Sequence, residues 1–302
     1  MGFLIFVGIF AFLSSLQINA GQMLNSYPMI MSHDAATGEI IPERDHIVAD
    51  WSMTQNTSLV EQLNCGSRSF DYRPYLYKNV VFAHHGGFKI YKPMEETVME
   101  VMKWCHEHSD DLIIFYISHY DGDSGCETAA KALFDRLKIK TIQDCGDLSS
   151  LSYTEAKVQA ALPGGGSLLA IFDCTDEYYD STINCYGNDF VCYNDSWPQN
   201  TSYIPFDHMT SYLQNTTNTD PTSHSVNMWM TQAHWQSSAE TVILGTLHNS
   251  SLLLDESRSN MNKWIESAIY SKSFKYLNFL ELDHVCDNGP AIYEAIKRVY
   301  LS

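Results

Sequence analysis

Leu112-Ile113-Ile114-Phe115-Tyr116-Ile117-Ser118 is an unbroken apolar run closed by a serine. A strand with one wet face alternates apolar and polar residues, whereas a run that is apolar at every position suits a strand covered on both faces, as in a parallel sheet. Similar β-rich runs occur at 29–32, 67–72, 80–83, 167–172, 226–231 and 276–282. Helical patterns lie between several of them. Met94, Val98, Val101 and Cys105 share one face after Pro93, 127–137 is rich in helix formers, and Gly289-Pro290 opens a closing helix with Ile292, Ala295 and Val299 at helical spacing. Strands alternating with helices over this length predict an α/β fold, a distorted TIM-type (β/α) barrel. Periodicity alone also permits an open doubly wound sheet. The segment 175–225 breaks the rhythm: Cys174 precedes it, and it holds Cys185, Cys192, Pro198, Pro205, Pro221 and many Tyr and Asn residues. It reads as a long, disulfide-tied, glycosylated insertion on one barrel loop.

The chain has 302 residues, 45% hydrophobic and 18% charged, which suits a globular protein and excludes disorder. Its formal charge of -18 argues against a nucleic-acid partner or strong docking to an anionic surface, although a local basic pocket can still hold one phosphate. Residues 3–13 form an apolar run that ends at Ser14-Ser15 and reaches Ala20. Such a run is too short to span a bilayer and reads as a secretory signal, with cleavage expected after Ala20 and a mature barrel domain at 21–302. No later stretch is long and apolar enough for a transmembrane segment, so the expected location is extracellular. Asn56, Asn194, Asn200, Asn215 and Asn249 open glycosylation sequons, and eight cysteines without a Cys-x-x-Cys pair favour disulfides over zinc. Cys185 with Cys192 and Cys126 with Cys145 are possible local loops.

Four polar clusters end apolar strands: Ser32-His33-Asp34, Phe70-Asp71-Tyr72-Arg73, Ala83-His84-His85-Gly86 and Glu281-Leu282-Asp283-His284. The carboxyl ends of barrel strands converge on one face, so residues far apart in sequence can meet there. Two imidazoles, two carboxylates and a guanidinium suit acid–base attack on a phosphodiester. Each cluster taken singly is more often structural. The structural reading of Arg73 is pairing with Asp71 or another carboxylate at a barrel rim, and alternation along the strand lets only one of His84 and His85 enter the site.

The order of these clusters sharpens the reading. Trp51-x-Met53-Thr54-Gln55, then Gln62-Leu63-x-x-Gly66-x-Arg68-x-Phe70-Asp71-x-Arg73, then His84-His85-Gly86, resembles the X-domain of bacterial-type phosphatidylinositol-specific phospholipase C, within the PLC-like phosphodiesterase superfamily. Ser32-His33-Asp34 stands in the place of that family's Thr-His-Asp, and Leu282-Asp283 in the place of its last catalytic aspartate. The resemblance implies a barrel enzyme acting on phosphatidylinositol or a GPI-type lipid. His33 is then the general base on the inositol 2-hydroxyl and Asp283 orients it. His85 is the general acid, assisted by Asp34. Arg73 contacts the phosphate, supported by Asp71. Arginine there implies the form that uses no metal and no cofactor.

The chain departs from the family where bacterial enzymes place a lysine and an arginine on the inositol ring. It has Ser118-His119 and Phe172-Asp173-Cys174 there. His119, Asp173 and Trp235 are therefore the candidate headgroup contacts. Tyr178, Tyr179, Tyr193 and Trp197 of the insertion are expected to touch a lipid interface or pack under glycans. Two other readings stand beside the enzyme: a secreted binding protein that keeps the barrel without useful catalysis, and a metal-dependent glycerophosphodiesterase-like barrel.

Overall fold

A computed structural model describes residues 21–41, 49–177, 192–193, 206–218, 220 and 227–302. The expected signal segment, Tyr178, Tyr179, Cys185, Trp197, Asn194 and Asn200 lie outside the described residues.

The strands are β1 (Met29–Ser32), β2 (Ser67–Tyr72), β3 (Pro74–Tyr77), β4 (Val80–His85), β5 (Phe88–Ile90), β6 (Leu112–Ile117), β7 (Asp121–Gly122), β8 (Lys140–Ile142), β9 (Ser167–Phe172), β10 (Thr175–Glu177), β11 (Cys192–Tyr193), β12 (Met228–Gln232), β13 (Gln236–Ser237) and β14 (Phe279–Leu282). An eight-stranded sheet has the order β10-β12-β14-β1-β2-β6-β9-β8, and every pairing in it is parallel. The stretches β9 and β10 are nearly continuous in sequence yet stand near opposite ends of that order. The sheet therefore curls back on itself, giving the distorted (β/α) barrel that the apolar runs predict.

The run that begins the sequence reading is central. Strand β6 is buried throughout, between β2 and β9. Ile113, Phe115 and Ile117 pack with Val98 and Val101 of α2 (Met94–Glu107, after α1 at Leu59–Asn64) and with Ala130 and Phe134 of α3 (Cys126–Arg136). Leu112, Ile114 and Tyr116 join Met29, Met31, Ile171, Met230 and Phe279 in a second cluster, which Ala156 of α4 (Tyr153–Gln159) helps to cover. Each such buried side chain contributes about 1.5–3 kcal/mol relative to exposure. A polar residue inside the run would forfeit that on one face or the other.

Three expectations change. The Val80–Ala83 run is not a barrel strand: it lies within β4, in a separate four-stranded sheet of order β5-β4-β3-β7. Lys78 and Asn79 both have positive φ, 50° and 63°, and Tyr77 pairs with Val80, so they form the tight two-residue hairpin that turns the chain back antiparallel. The segment 175–225 is not all loop. It begins with barrel strand β10 and contains α5 (Phe206–Asn218), whose Met209, Tyr212 and Leu213 are buried with Ile265 and Leu280. That apolar stripe is hidden from a sequence reading by the polar residues around it. Finally, Cys126 does not pair with Cys145. Cys145 bonds Cys174 at the end of β9, while Cys126 faces the core at the start of α3 as a buried free thiol.

The remaining helices are α6 (Ala239–Leu247), α7 (Leu252–Ser259), α8 (Met261–Tyr270) and α9 (Gly289–Tyr300). The last two pack against the outer side of β1 and β14 through Ile265, Ile269, Ile292 and Ile296. Among the described residues no helix is long and apolar enough to cross a membrane. A second disulfide, Cys65–Cys286, joins the α1–β2 turn to the segment after β14, across a sequence separation of 221. Closing so long a loop restricts the unfolded chain strongly. Replacing both Cys65 and Cys286 by serine should lower unfolding free energy by about 3–5 kcal/mol in chemical denaturation; a change under about 1 kcal/mol would show that the link does not constrain the unfolded state.

Candidate active site

The strand register brings the clusters together. Along β1, Met29, Met31 and then His33 fall on one face, and His33 N–H donates to Leu282 O (3.1 Å), extending the β1–β14 ladder by one residue. Asp34 then turns out of the strand at φ 40°. After β14, Asp283 stands where His33 stands after β1, and His284 then turns out at φ 46°. Thr54 and Gln55 explain the Trp51-to-Gln55 motif: Thr54 Oγ1 donates to His33 O (2.7 Å), and the Gln55 amide donates to His33 O (3.2 Å) and Leu282 O (2.8 Å). Gln55 Oε1 accepts from Val285 N–H (3.0 Å). These two buried side chains bind the ends of β1 and β14 to each other.

His33 Nδ1 lies 2.7 Å from Asp283 Oδ1, and its Nε2 lies 3.3 Å from Asp34 Oδ2. His85 Nε2 approaches the same Asp34 oxygen at 3.4 Å. The other nitrogen of His85, Nδ1, donates to Ser52 O (2.7 Å), which leaves Nε2 as the nitrogen facing the site. Arg73 spans two carboxylates, Nε at 3.0 Å from Asp34 Oδ1 and an Nη at 2.9 Å from Asp71 Oδ2. Asp71 Oδ2 also accepts from the backbone N–H of Asp34 (3.1 Å). The structure thus gathers His33, Asp34, Asp71, Arg73, His85 and Asp283 at one place. His84 turns away, its ring between Gly86 O (2.7 Å) and His119 O (2.6 Å), as strand alternation requires.

Burial governs the electrostatics. It holds His33 well below the ordinary histidine range, reinforced by neighbouring His234. It pushes Asp283 up to about 7. Both shifts disfavour the charge-separated form of the dyad, so the buried pair resists becoming imidazolium and carboxylate. For Asp71 burial acts upward, but Arg73 outweighs it and holds the carboxyl below its ordinary range. Arg73 is desolvated too, and Asp34 and Asp71 more than compensate, keeping it protonated.

The headgroup candidates divide. His119 stands exposed at the end of β6 with φ 54°, its Nδ1 2.7 Å from Ser118 Oγ, and it senses the charges of Arg73, Asp71 and Asp34. Asp173, at the end of β9 with φ 54°, is exposed and accepts from Tyr120 Oη (2.8 Å). Trp235 is not at the surface of the site. It is 2% exposed, packs among Leu213, Ile265 and Leu280, and donates its indole N–H to Ser259 Oγ (2.9 Å). A large apolar ring at this point serves the core.

The sequence reading missed His234, and it placed Glu281 in a strand-end cluster without giving it a role. His234 stacks on His33 with ring centroids 3.8 Å apart and 13° between planes, and its Nε2 lies 3.2 Å from Glu281 Oε2. The available signal was Glu281, two residues before Asp283 on the same strand face. Two trios, His33–His234–Asp283 and His33–Asp34–Asp71, bring potential metal-ligand atoms within 4.8 Å of one another. In the second, a divalent cation competes with the Arg73 guanidinium already seated between the carboxylates.

No protein-family model matches the chain. Solved structures do. A pentafluoro-phenylalanine-substituted phosphatidylinositol-specific phospholipase C from Staphylococcus aureus aligns with TM-score 0.61 at 13% identity, over 91% of this chain and 95% of its own. The chain shares the fold of the bacterial phosphatidylinositol-specific phospholipases C. A second S. aureus structure of that enzyme, from work on its membrane binding, aligns with TM-score 0.61 at 14% identity, over 92% and 95% of the two chains. The enzyme from Listeria monocytogenes aligns with TM-score 0.59 at 12% identity, over 91% and 94%. The motif resemblance is thus met at the level of the fold by proteins of very different sequence.

The ion cluster makes a stability prediction. Arg73→Met leaves Asp34 and Asp71 buried without their cation and should cost about 3 kcal/mol in urea unfolding, part of which Asp71→Asn in the same chain should restore. Because Asp71 ionises more easily in the folded state, its share of stability is present above about pH 4 and is lost as pH falls through its folded value. A stability–pH curve of Asp71→Asn flatter than wild type on the acid side checks this; an unchanged acid slope contradicts it.

Proposed function

We propose that this protein is a secreted phosphodiesterase that cleaves an inositol-type phospholipid, phosphatidylinositol or a GPI-like lipid, by histidine acid–base catalysis. The observation that carries the proposal is the convergence of His33 Nε2 and His85 Nε2 on one oxygen of Asp34, at 3.3 and 3.4 Å, beside Arg73. The names of the structural neighbours, all phosphatidylinositol-specific phospholipases C, support the substrate class. The apolar run at 3–13 and exposed sequon residues Asn56, Asn215 and Asn249 support export.

His33 Nε2 takes the proton of the inositol 2-hydroxyl while Asp283 holds the Nδ1 side of the ring. The freed oxygen attacks phosphorus and the bond from phosphorus to the glycerol oxygen breaks in line. His85 delivers a proton to that leaving oxygen. Arg73 faces the negative charge that grows on the phosphoryl oxygens, and Asp71 fixes the guanidinium plane. The products are a 1,2-cyclic inositol phosphate and diacylglycerol. Proton exchange with solvent then resets both imidazoles. Holding the hydroxyl and the phosphorus within one substrate makes the attack intramolecular, so most of the protein's task is orientation and charge.

Asp173, braced by Tyr120, and His119 are suited to hydroxyls of the headgroup. An acidic and a neutral group in place of two cations favour a ring without extra phosphates. The same departure favours the second reading, a headgroup-binding protein without useful turnover.

Phosphorus NMR on phosphatidylinositol in mixed micelles with chelator, beside phosphatidylcholine and a GPI-anchored reporter, separates the readings. A cyclic phosphate resonance from an inositol lipid alone is the expected result. Intact substrates together with saturable headgroup binding would overturn catalysis in favour of the binding protein. His85→Ala should lower kcat by about 100-fold or more on natural lipid, consistent with loss of a general acid. Because burial lowers the His33 pKa, the acid limb of the rate profile should lie below about pH 6.5; a limb well above that value would remove His33 as the base.

A further inference from the structure

Strand β14 lies between β1 and β12, and Glu281 on it and Asp283 just past its end each hold a histidine from just past the end of a neighbouring strand. Asp283 Oδ1 meets His33 Nδ1 at 2.7 Å on the β1 side, and Glu281 Oε2 meets His234 Nε2 at 3.2 Å on the β12 side. Both pairings extend the sheet: His33 N–H donates to Leu282 O (3.1 Å) and Ala233 N–H to Glu281 O (2.8 Å). The result is two histidine–carboxylate dyads placed side by side, their rings stacked at 3.8 Å and 13°. His234 and Glu281 are each only 1% exposed, so neither reaches substrate.

The geometry points to the His234–Glu281 dyad as the positioning element of the general base: it braces the face of the His33 ring and restricts the stacked pair to a single proton. The inference rests on the assignment of His33 as the base. An imidazole hydrogen-bonded at both nitrogens can still rock about its long axis; a second ring lying flat against it removes that motion. When His33 takes the substrate proton it becomes an imidazolium, which a neutral ring at 3.8 Å tolerates and a second imidazolium would repel. Glu281 fixes which edge of His234 faces the sheet. Burial keeps His234 neutral more readily than an exposed histidine, in keeping with that role. The charged or titratable groups around the pair include Asp34 past β1, Asp71 on β2 and Arg73 after it, His85 at the end of β4, Glu281 on β14 and Asp283 after it, and Glu256 on α7, whose carboxyl burial and Asp283 push well above the ordinary range.

The test compares His234→Phe, which keeps a flat ring and cannot take a proton, with His234→Ala, which removes the ring. His234→Ala should lower kcat about tenfold or more with little change in KM, as a misplaced catalytic group does, and His234→Phe should recover part of that loss. With no second imidazole to compete for the pair's single proton, His33 in His234→Phe should hold its proton to higher pH. Its imidazole carbon resonances, assigned through His33→Gln, should titrate about half a pH unit or more higher than in wild type, and the acid limb of the rate profile should move the same way. A merely structural role would lower melting temperature and leave that titration where it was; an unmoved His33 curve in folded His234→Phe overturns the inference. The NMR titration needs no turnover. It therefore reads the stacked pair even if the lipid proves not to be a substrate, and a wild-type protein without activity would count against the proposed function alone. Should His234→Ala fail to fold, the folded phenylalanine variant carries the decision.

Discussion

The site depends on one arginine set against two buried carboxylates. Asp34 and Asp71 are almost fully enclosed, and each would be costly as a lone anion at that depth. Arg73 bridges them at 3.0 and 2.9 Å, and the backbone N–H of Asp34 adds a bond to Asp71. That arrangement sets a cation against both acidic side chains, and Asp34 in turn is the group that the imidazoles of His33 and His85 both face. The positive charge that would meet a phosphate is thus also the charge that permits the site to be buried. Stability and chemistry here draw on the same ion cluster.

Around it the barrel acts as a frame with short tolerances. Strand ends deliver His33, Asp71, Arg73 and Asp283, while His85 comes from the side sheet, at the end of the strand that the β3–β4 hairpin turns back antiparallel. The two pieces are cross-linked through one segment. Gln55 joins β1 to the turn after β14, and Ser52 O fixes the tautomer of His85 from the same segment. The Cys65–Cys286 disulfide closes the outside of that region. The motif between Trp51 and Gln55 is therefore a brace for the site, although none of its side chains belongs to the group of acids and bases.

Much of this is visible in the residue order. The apolar run 112–117 is readable because its burial on both faces leaves no alternation, and the polar clusters are readable because each interrupts such a run at its carboxyl end. The stretch 80–83 misleads for the same reason: an apolar run carries no mark of whether its partners are parallel or antiparallel, and the Lys78-Asn79 turn is a weak hairpin signal beside the usual Asn-Gly. Trp235 misleads because proximity in sequence to a strand end does not say which way a side chain points. Helix α5 is obscured because only one face of it is apolar.

The sequence by itself determined the class of fold, the alternation that makes a barrel, and the set of acids, bases and one cation that meet at its rim, since strand period and hydrophobic pattern are local properties. The tertiary structure alone decided the pairings: which cysteine meets which, that Asp34 serves two imidazoles, and that His234 lies flat on His33 with Glu281 behind it. Those contacts join residues as far apart as 33 and 283, or 33 and 234. They follow from strand order and register around a curled sheet, which no local pattern records.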